Sequence, residues 1–407
     1  MERIVIIGAS LAGLRAAETL RSMGFDGSIS VVGDEPHRPY DRPPLSKQVL
    51  TGEWEPSRID LPGGAEGRLD VTWHLATSAE HLDLGRREVS LSDGQVLGYD
   101  GLVLACGARP RTLPGTGSLD GVFALRTIDD AMAIRARLEA GARRVVVVGA
   151  GFIGAEVAAS CRSLGLAVTL VEPLAQPLAR VVGERIGAVV ADLHRDHGVD
   201  LRLGVGVDRI EGSDGPKRVV LTDGSSVDAD IVVVGIGVVP NVAWLEGSGL
   251  TLDDGIVCDE TTSAAPGVVA AGDVARWPNR LFGEMMRVEH WEHALDMGAA
   301  AARRLLTSDH EAEPYSPVPW FWSDQYDRKI QMAGRARPDD DVAVVAGSLD
   351  DRRFCALYGR DGKVMGALAM NMPAQVIRYR RAIVEGLAWD DALAAAAPAP
   401  APIGDAS

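Results

Sequence analysis

Cysteine is scarce and never paired: Cys106, Cys161, Cys258 and Cys355 stand far apart, with no C-x-x-C among them. This excludes the adjacent redox dithiol of a disulfide reductase and reads as four buried thiols in a reducing, cytoplasmic setting. Basic residues are outnumbered, 41 against 57 acidic ones, for a net charge of −16. That balance argues against binding nucleic acid or an anionic membrane surface. Aromatic residues make up only 5% of the chain. No apolar run is long enough to span a bilayer, and the first one breaks at Gly8, so no signal segment is expected. No metal site is expected either: His290 and His293 can share a helix face, but no further ligand pattern accompanies them.

What the chain has in quantity is glycine, 46 of 407 residues, in a sequence 46% hydrophobic and 24% charged. Such a composition and length suit two or three globular domains. The glycines punctuate two similar stretches. From Arg3 the sequence reads R-I-V-I-I-G-A-S-L-A-G, which predicts a buried strand over 4–7, a turn at Gly8 and an amphipathic helix over 11–23. From Arg143 it reads R-R-V-V-V-V-G-A-G-F-I-G, with Gly149, Gly151 and Gly154 in place. In the first copy Gly8 and Gly13 are kept and Ser10 replaces the middle glycine. Strand–turn–helix units of this spacing aim helix N–H groups at one point and cradle a pyrophosphate. Each is followed by a strand with an acidic end, 28–32 by Glu35 and 167–171 by Glu172. A carboxylate there accepts ribose hydroxyls, so two dinucleotides are expected. Glu172 repels a 2′-phosphate and favours NADH over NADPH, with Arg180 near enough to oppose it.

Between and after these units lie further candidates. Four prolines within P-H-R-P-Y-D-R-P-P-L-S-K make a stiff segment, read either as a rigid connection or as a preset loop that carries Arg42 and Lys47 to a cofactor. A lysine held beside a flavin ring would stabilise negative charge on the reduced ring. Residues 77–81 read as a strand returning to the first nucleotide sheet, either a plain strand or one whose backbone near Ala79 contacts an adenine. Arg126 precedes a helix over 128–138 and is either a surface charge or a phosphate contact. Glu156 sits on the second glycine helix, either solvated or looking back toward the nucleotide. A buried strand over 231–241 carries Gly237, where backbone can approach a nicotinamide, and a strand over 268–274 ends in Gly272-Asp273, a ribityl-hydroxyl acceptor. The aromatic run P-W-F-W-S-D-Q-Y-D is either core or a flavin shield, and is followed by strands over 342–346, 354–358 and 364–370 and a helix over 373–385. The Ala-Pro tail from Ala394 is too poor in apolar bulk to pack and is expected to be disordered.

In order, G-A-S-L-A-G, D-E-P-H-R-P-Y-D-R-P-P-L-S-K, L-R-T, G-A-G-F-I-G-A-E, A-A-G-D-V-A, E-H-W-E-H-A and P-W-F-W-S-D-Q-Y-D resemble the FAD-dependent, NADH-dependent ferredoxin reductases that serve cytochrome P450 and Rieske-type oxygenases. The resemblance runs over residues 1–393. It implies an α/β fold of two Rossmann-like nucleotide-binding domains, glutathione-reductase-like, plus an α+β C-terminal domain. The expected divisions are 1–109 with 241–318 for FAD, 110–240 for NADH, 319–393 for the C-terminal unit, and 394–407 for the tail. It implies FAD contacts from Gly8, Ala12, Gly13, Glu35, Arg42, Lys47, Ala79, Arg126, Asp273 and Trp291, and NADH contacts from Gly151, Ile153, Glu172, Arg180, Gly237 and Glu289. Lys47 and Glu156 are expected to pair near the reactive flavin atom, and Trp320 to lie by the flavin and the ferredoxin face.

The expected reaction passes electrons from NADH through FAD to an iron-sulfur ferredoxin held in a transient complex, with the chain itself a monomer or weak dimer. A local basic patch of Arg287, Arg328, Lys329 and the 378–381 segment is the expected docking face. The rival readings on the same fold are a rubredoxin reductase, a quinone reductase or an NADH oxidase. A reading from another class is a flavoprotein that acts by binding partners.

Overall fold

The computed structural model describes residues 1–64, 69–117, 119–213 and 215–396. Its first sheet grows from the β-branched run near the N-terminus. Strand β1 (Arg3–Ile7) is buried from Ile4 onward and leads directly into helix α1 (Leu11–Ser22). Strands β2 (Ser28–Val32), β3 (Thr72–His74) and β4 (Gly101–Leu104) join it in parallel, with Ile4 opposite both Ile29 and Gly101. The strand expected over 77–81 does not return to this sheet. Ala79–Asp83 instead runs antiparallel to Glu88–Leu91 in a separate three-stranded sheet, and β3 takes the expected place. Only Leu82 is buried along that segment, too little apolar surface for a parallel strand covered on both faces.

The second unit repeats the plan. Strands β5 (Val122–Ala124), β6 (Arg144–Val148), β7 (Ala167–Glu172), β8 (Asp200–Leu203) and β9 (Ile231–Val234) form a parallel sheet in the order β8-β7-β6-β9-β5. Helix α2 (Ile128–Glu139) begins on a capping box between Thr127 and Asp130, and α3 (Phe152–Ser163) follows the glycine turn after β6. Helix α4 (Ala179–Asp196) crosses before β8.

The chain then returns to the first sheet with β10 (Ser263–Ala265) and β11 (Val268–Ala270), completing the order β10-β11-β4-β1-β2-β3. Helix α5 (Trp291–Leu306) packs so tightly on α1 that a Cβ at Gly298 would lie 2.4 Å from the Ala12 carbonyl oxygen. A five-stranded antiparallel sheet closes the fold: β12 (Trp320–Gln325), β13 (Arg328–Gly334), β14 (Asp341–Ser348), β15 (Arg353–Arg360) and β16 (Lys363–Met370). Helix α6 (Pro373–Val384) lays Val376, Tyr379 and Ile383 on it, and α7 (Trp389–Ala396) sets Trp389 against Gly359. Residues 394–396 thus end a helix rather than begin the expected tail, and 397–407 lie outside the described residues. Among the described residues no helix is long and apolar enough to cross a membrane.

Candidate functional site

A single cavity of about 1200 Å³ runs between the two parallel-sheet units and the C-terminal sheet. It exceeds the ~300–1,000 Å³ of an ordinary small-molecule pocket. Two helix N-termini open into it. Ser10, Leu11 and Ala12 of α1 line one arm, and Gly151, Phe152 and Ile153 of α3 line the other. Neither helix has a side-chain cap or an acidic residue in its first turn, so the N-terminal N–H groups and the positive dipole end face the cavity. The turn that sets this geometry demands glycine. Gly8 has φ +125, and a Cβ there would lie 2.1 Å from the Ala105 carbonyl oxygen; a Cβ at Gly13 would lie 1.9 Å from the Gly8 carbonyl oxygen. The second turn is built alike, with Gly154 as close to Gly149. Two uncapped helix ends opening on one cavity fit the phosphates of two dinucleotides.

Around the first arm the charges are already organised. Arg42 donates to Glu35 at 2.6 Å and to the Arg126 carbonyl oxygen at 2.7 Å, and Tyr40 also donates to Glu35. Burial pushes the Tyr40 phenol up, so it stays protonated. Arg126 pairs with Asp273 at 2.8 Å. Trp291 donates its indole N–H to Asp41, whose carboxyl burial pushes upward against that hydrogen bond. Ala79, Gly237, Arg180 and Glu289 also reach the wall.

Lys47 and Glu156 both line the cavity where the first and second units meet. Lys47 Nζ lies 2.7 Å from Glu156 Oε2. Glu156 is 3% exposed, yet its carboxylate is satisfied: Ser46 Oγ donates to Oε2 at 2.5 Å and Ser323 Oγ to Oε1 at 2.8 Å. The pair therefore ties all three units together. Cys106 also lines the cavity, but burial pushes its thiol up to about 12, and its Sγ donates to the Asn241 carbonyl oxygen. At neutral pH this thiol is neither a nucleophile nor a redox partner to another cysteine.

Several sequence-predicted residues lie elsewhere. Gly13, Gly149 and Gly154 sit behind the wall as spacers between helix and strand. Glu172 is buried, and its two oxygens accept the N–H groups of Ala150 and Leu174, bracing the second glycine turn. Trp320 does not line the cavity; Trp322, 5.3 Å away between ring centroids, does, and so does Phe321. His290 faces the cavity beside Phe321, while His293 stacks on Trp277 and meets Tyr315, so the two imidazoles have different surroundings. The expected docking charges are mostly spent: Arg287 pairs with Asp254 and Glu289, Arg328 with Asp327, Lys329 with Asp324, and Arg380 with Glu292. Sequence reading missed Ser46, Ser323 and Trp322; alternation along the strand after Pro319 sets Ser323 on the face of Phe321 and Trp322 on the face of Trp320, but does not say which of them reaches the cavity.

Comparison with known proteins places the whole arrangement. Residues 2–298 match the pyridine nucleotide-disulphide oxidoreductase model, and residues 320–400 match the reductase C-terminal model. Rhodocoxin reductase of Rhodococcus erythropolis is 40% identical over 93% of this chain and 88% of its own. The ferredoxin–NAD(+) reductase component of the anthranilate 1,2-dioxygenase system of Burkholderia cepacia is 39% identical over 94% of each. The solved covalent complex of putidaredoxin reductase with putidaredoxin superposes with a TM-score of 0.89 at 34% identity, covering 95% of this chain and 94% of that one. With its paired nucleotide sheets, its glycine turns and its C-terminal sheet, the chain belongs to the pyridine nucleotide-disulphide oxidoreductase family.

Proposed function

We propose that this chain is an FAD-containing, NADH-dependent ferredoxin reductase that delivers electrons to the iron-sulfur ferredoxin of an oxygenase system. The observation that carries this reading is the cavity itself. It has two open helix N-termini, a buried Lys47–Glu156 pair where two units meet, and no thiolate. The chain's likeness to a rhodocoxin reductase and to the ferredoxin–NAD(+) reductase component of a dioxygenase system supports this reading. We assign FAD to the unit formed by 1–109 and 241–318, NADH to 110–240, and part of the partner surface to 319–393. A bound FAD converts the two electrons of a hydride donor into single-electron transfers. The chain's own residues do the rest. The N–H groups of α1 hold the FAD pyrophosphate, with Arg42 and Arg126 adding positive charge. Glu35 and Asp273 accept hydroxyls, and the N–H groups of Gly151 to Ile153 hold the NADH phosphates. Lys47 keeps a positive charge at the cavity wall. Trp322 and Phe321 keep water out. The carboxylate of Glu172 favours NADH over NADPH by repelling a 2′-phosphate. With its unpaired, un-ionised thiols the chain suits a cytoplasmic setting.

The test is anaerobic reduction of the yellow holoprotein by NADH, followed by a panel of ferredoxins and rubredoxins read by absorbance. Fast reduction of one ferredoxin is the expected result. Reduction of a rubredoxin alone would reassign the partner. Flavin bleaching with no carrier reduced, followed by rapid oxygen uptake in air, would make the protein an oxidase.

A further inference from the structure

A short stretch at the start of α4, beside the second glycine turn, is shaped from both ends. Leu178, which precedes the helix, has φ +57, a left-handed conformation uncommon outside glycine. Further on, Gly183 interrupts the helix with φ +77 and ψ 166, a region that only glycine enters freely. Nothing lies within 4 Å of where a Cβ at Gly183 would stand, so conformation and not crowding calls for glycine there. Between these two points Arg180 and Val181 are exposed and line the cavity. Leu178 and Val182, on either side of them, are buried.

Two hydrogen bonds hold that stretch, one on each side. The Leu178 N–H donates at 3.1 Å to the carbonyl oxygen of Ala150, inside the glycine turn that opens α3 into the cavity. The Tyr358 hydroxyl, on β15 of the C-terminal sheet, donates at 2.8 Å to the Val182 carbonyl oxygen. Tyr358 is 1% exposed, and burial pushes its phenol up, so the hydroxyl keeps its proton. Leu178, Val182, Ile186 and Val190 recur every fourth residue and share one buried cluster with Met332, Phe354 and Tyr358 of that sheet. A strained residue persists where its surroundings over-determine it. For Leu178 they do so from the glycine turn and from the sheet.

We propose that Tyr358 and Gly183 are positioning residues for NADH. Tyr358 anchors residues 179–182 to the C-terminal sheet, and Gly183 lets the chain turn back into α4 behind them. Together they set Arg180 and Val181 in the wall against which the dinucleotide binds. The C-terminal sheet, assigned above to the partner surface, thereby also sets the affinity for the electron donor. Neither Tyr358 nor Gly183 lines the cavity, so neither meets the reacting atoms. Their signature is a change in NADH affinity with the flavin-reduction step untouched, because binding shared equally by ground state and transition state alters KM and not kcat.

This inference rests on the assignment of NADH to the second unit, so the first readout is binding without turnover: calorimetric titration of the oxidised holoprotein with NAD+. Tyr358→Phe removes one hydroxyl, and Gly183→Ala adds a methyl group in open space. Each should weaken binding about threefold to tenfold. In stopped flow the NADH concentration that half-saturates flavin reduction should rise by the same factor, with the limiting rate and the FAD content unchanged. Tyr358→Phe should cost nothing further in an Arg180→Ala, Val181→Ala background, where the wall it positions is gone. A loss that persists undiminished there would mean that the hydroxyl acts on the fold in general, and would overturn the inference. So would wild-type affinity in both single variants, or a lower limiting rate at unchanged affinity. Ile153→Asp, a negative charge at the α3 helix end, tests the underlying assignment separately and should abolish binding. Wild-type affinity in Ile153→Asp would take NADH out of this arm of the cavity, and the inference with it.

Discussion

Among the described residues Lys47 is the one cation in contact with the buried Glu156 carboxylate, and that fact sets what a substitution does. Lys47→Ala strands a carboxylate in a site from which water is largely excluded, at a cost of about 3–5 kcal/mol, whereas Lys47→Ala with Glu156→Gln should cost much less. Urea unfolding of the two variants checks this, and equal losses would show that the pair is not coupled. The same single substitution should slow flavin reduction or reoxidation about tenfold or more, read by stopped flow. Histidines give a second prediction. Burial lowers His194 and His290 to about 4 and His293 to about 3, against about 6.5 in an unfolded chain. Below about pH 6.5 the unfolded state therefore binds more protons, so stability falls as pH drops toward 4 and is fully present above neutrality. The urea midpoint should be lower at pH 5 than at pH 7.5 by an amount worth several kcal/mol; a flat profile would mean these rings do not stay neutral. Little of this was legible beforehand. Lys47 and Glu156 were each legible as candidates, but only family resemblance paired them, and the serines that satisfy the carboxylate lie 110 and 167 residues from it.

At the level of elements, the glycine turns were the most readable part of the chain. A β-branched run, a glycine and an amphipathic repeat are local signals, and β1, α1, β6 and α3 fall where they predict. The membership of a strand in a sheet is not local, which is why the segment after Thr77 was assigned to the wrong sheet. The face a strand turns inward is not local either: Trp320 and Trp322 share one side of β12, but only Trp322 comes close enough to line the cavity. Glu172 shows a third limit, since its carboxylate also holds the turn at Ala150 and so has a structural task that the motif does not reveal. The turn itself offers a sharp test. Gly13→Ala places a methyl group 1.9 Å from the Gly8 carbonyl oxygen, so α1 must move away from β1. The variant should lose about 2–3 kcal/mol of stability or more and purify with little flavin, seen as a reduced ratio of visible to protein absorbance. A fully yellow Gly13→Ala protein would mean that the helix end is not what holds the cofactor.

For the molecule as a whole, charge decides how a partner arrives. A surface of net charge −16 repels an acidic carrier at long range, so docking needs a local exception. Most of the basic residues that the sequence offers for this are spent on internal ion pairs, which only the folded chain reveals. Helix α6 keeps such an exception: Arg378 and Arg381 remain exposed beside Ile377 and Val384, which are 68% and 61% exposed. Arg380, one residue from Arg381, points inward to Glu292 on α5 and lines a small pocket with Trp320, whose neighbour Trp322 reaches the cavity. A basic and apolar stripe so placed suits an acidic ferredoxin. Reversing both charges, Arg378→Glu with Arg381→Glu, should lower kcat/KM for an acidic ferredoxin about tenfold at low ionic strength. The gap should narrow as salt rises, because exposed charges are screened over ~10 Å at 0.1 M. Electron transfer from NADH to ferricyanide, which needs no docking surface, should be unchanged. If ferredoxin reduction is equally fast in the variant at low salt, α6 is not the docking face and the carrier approaches by another side of the cavity mouth.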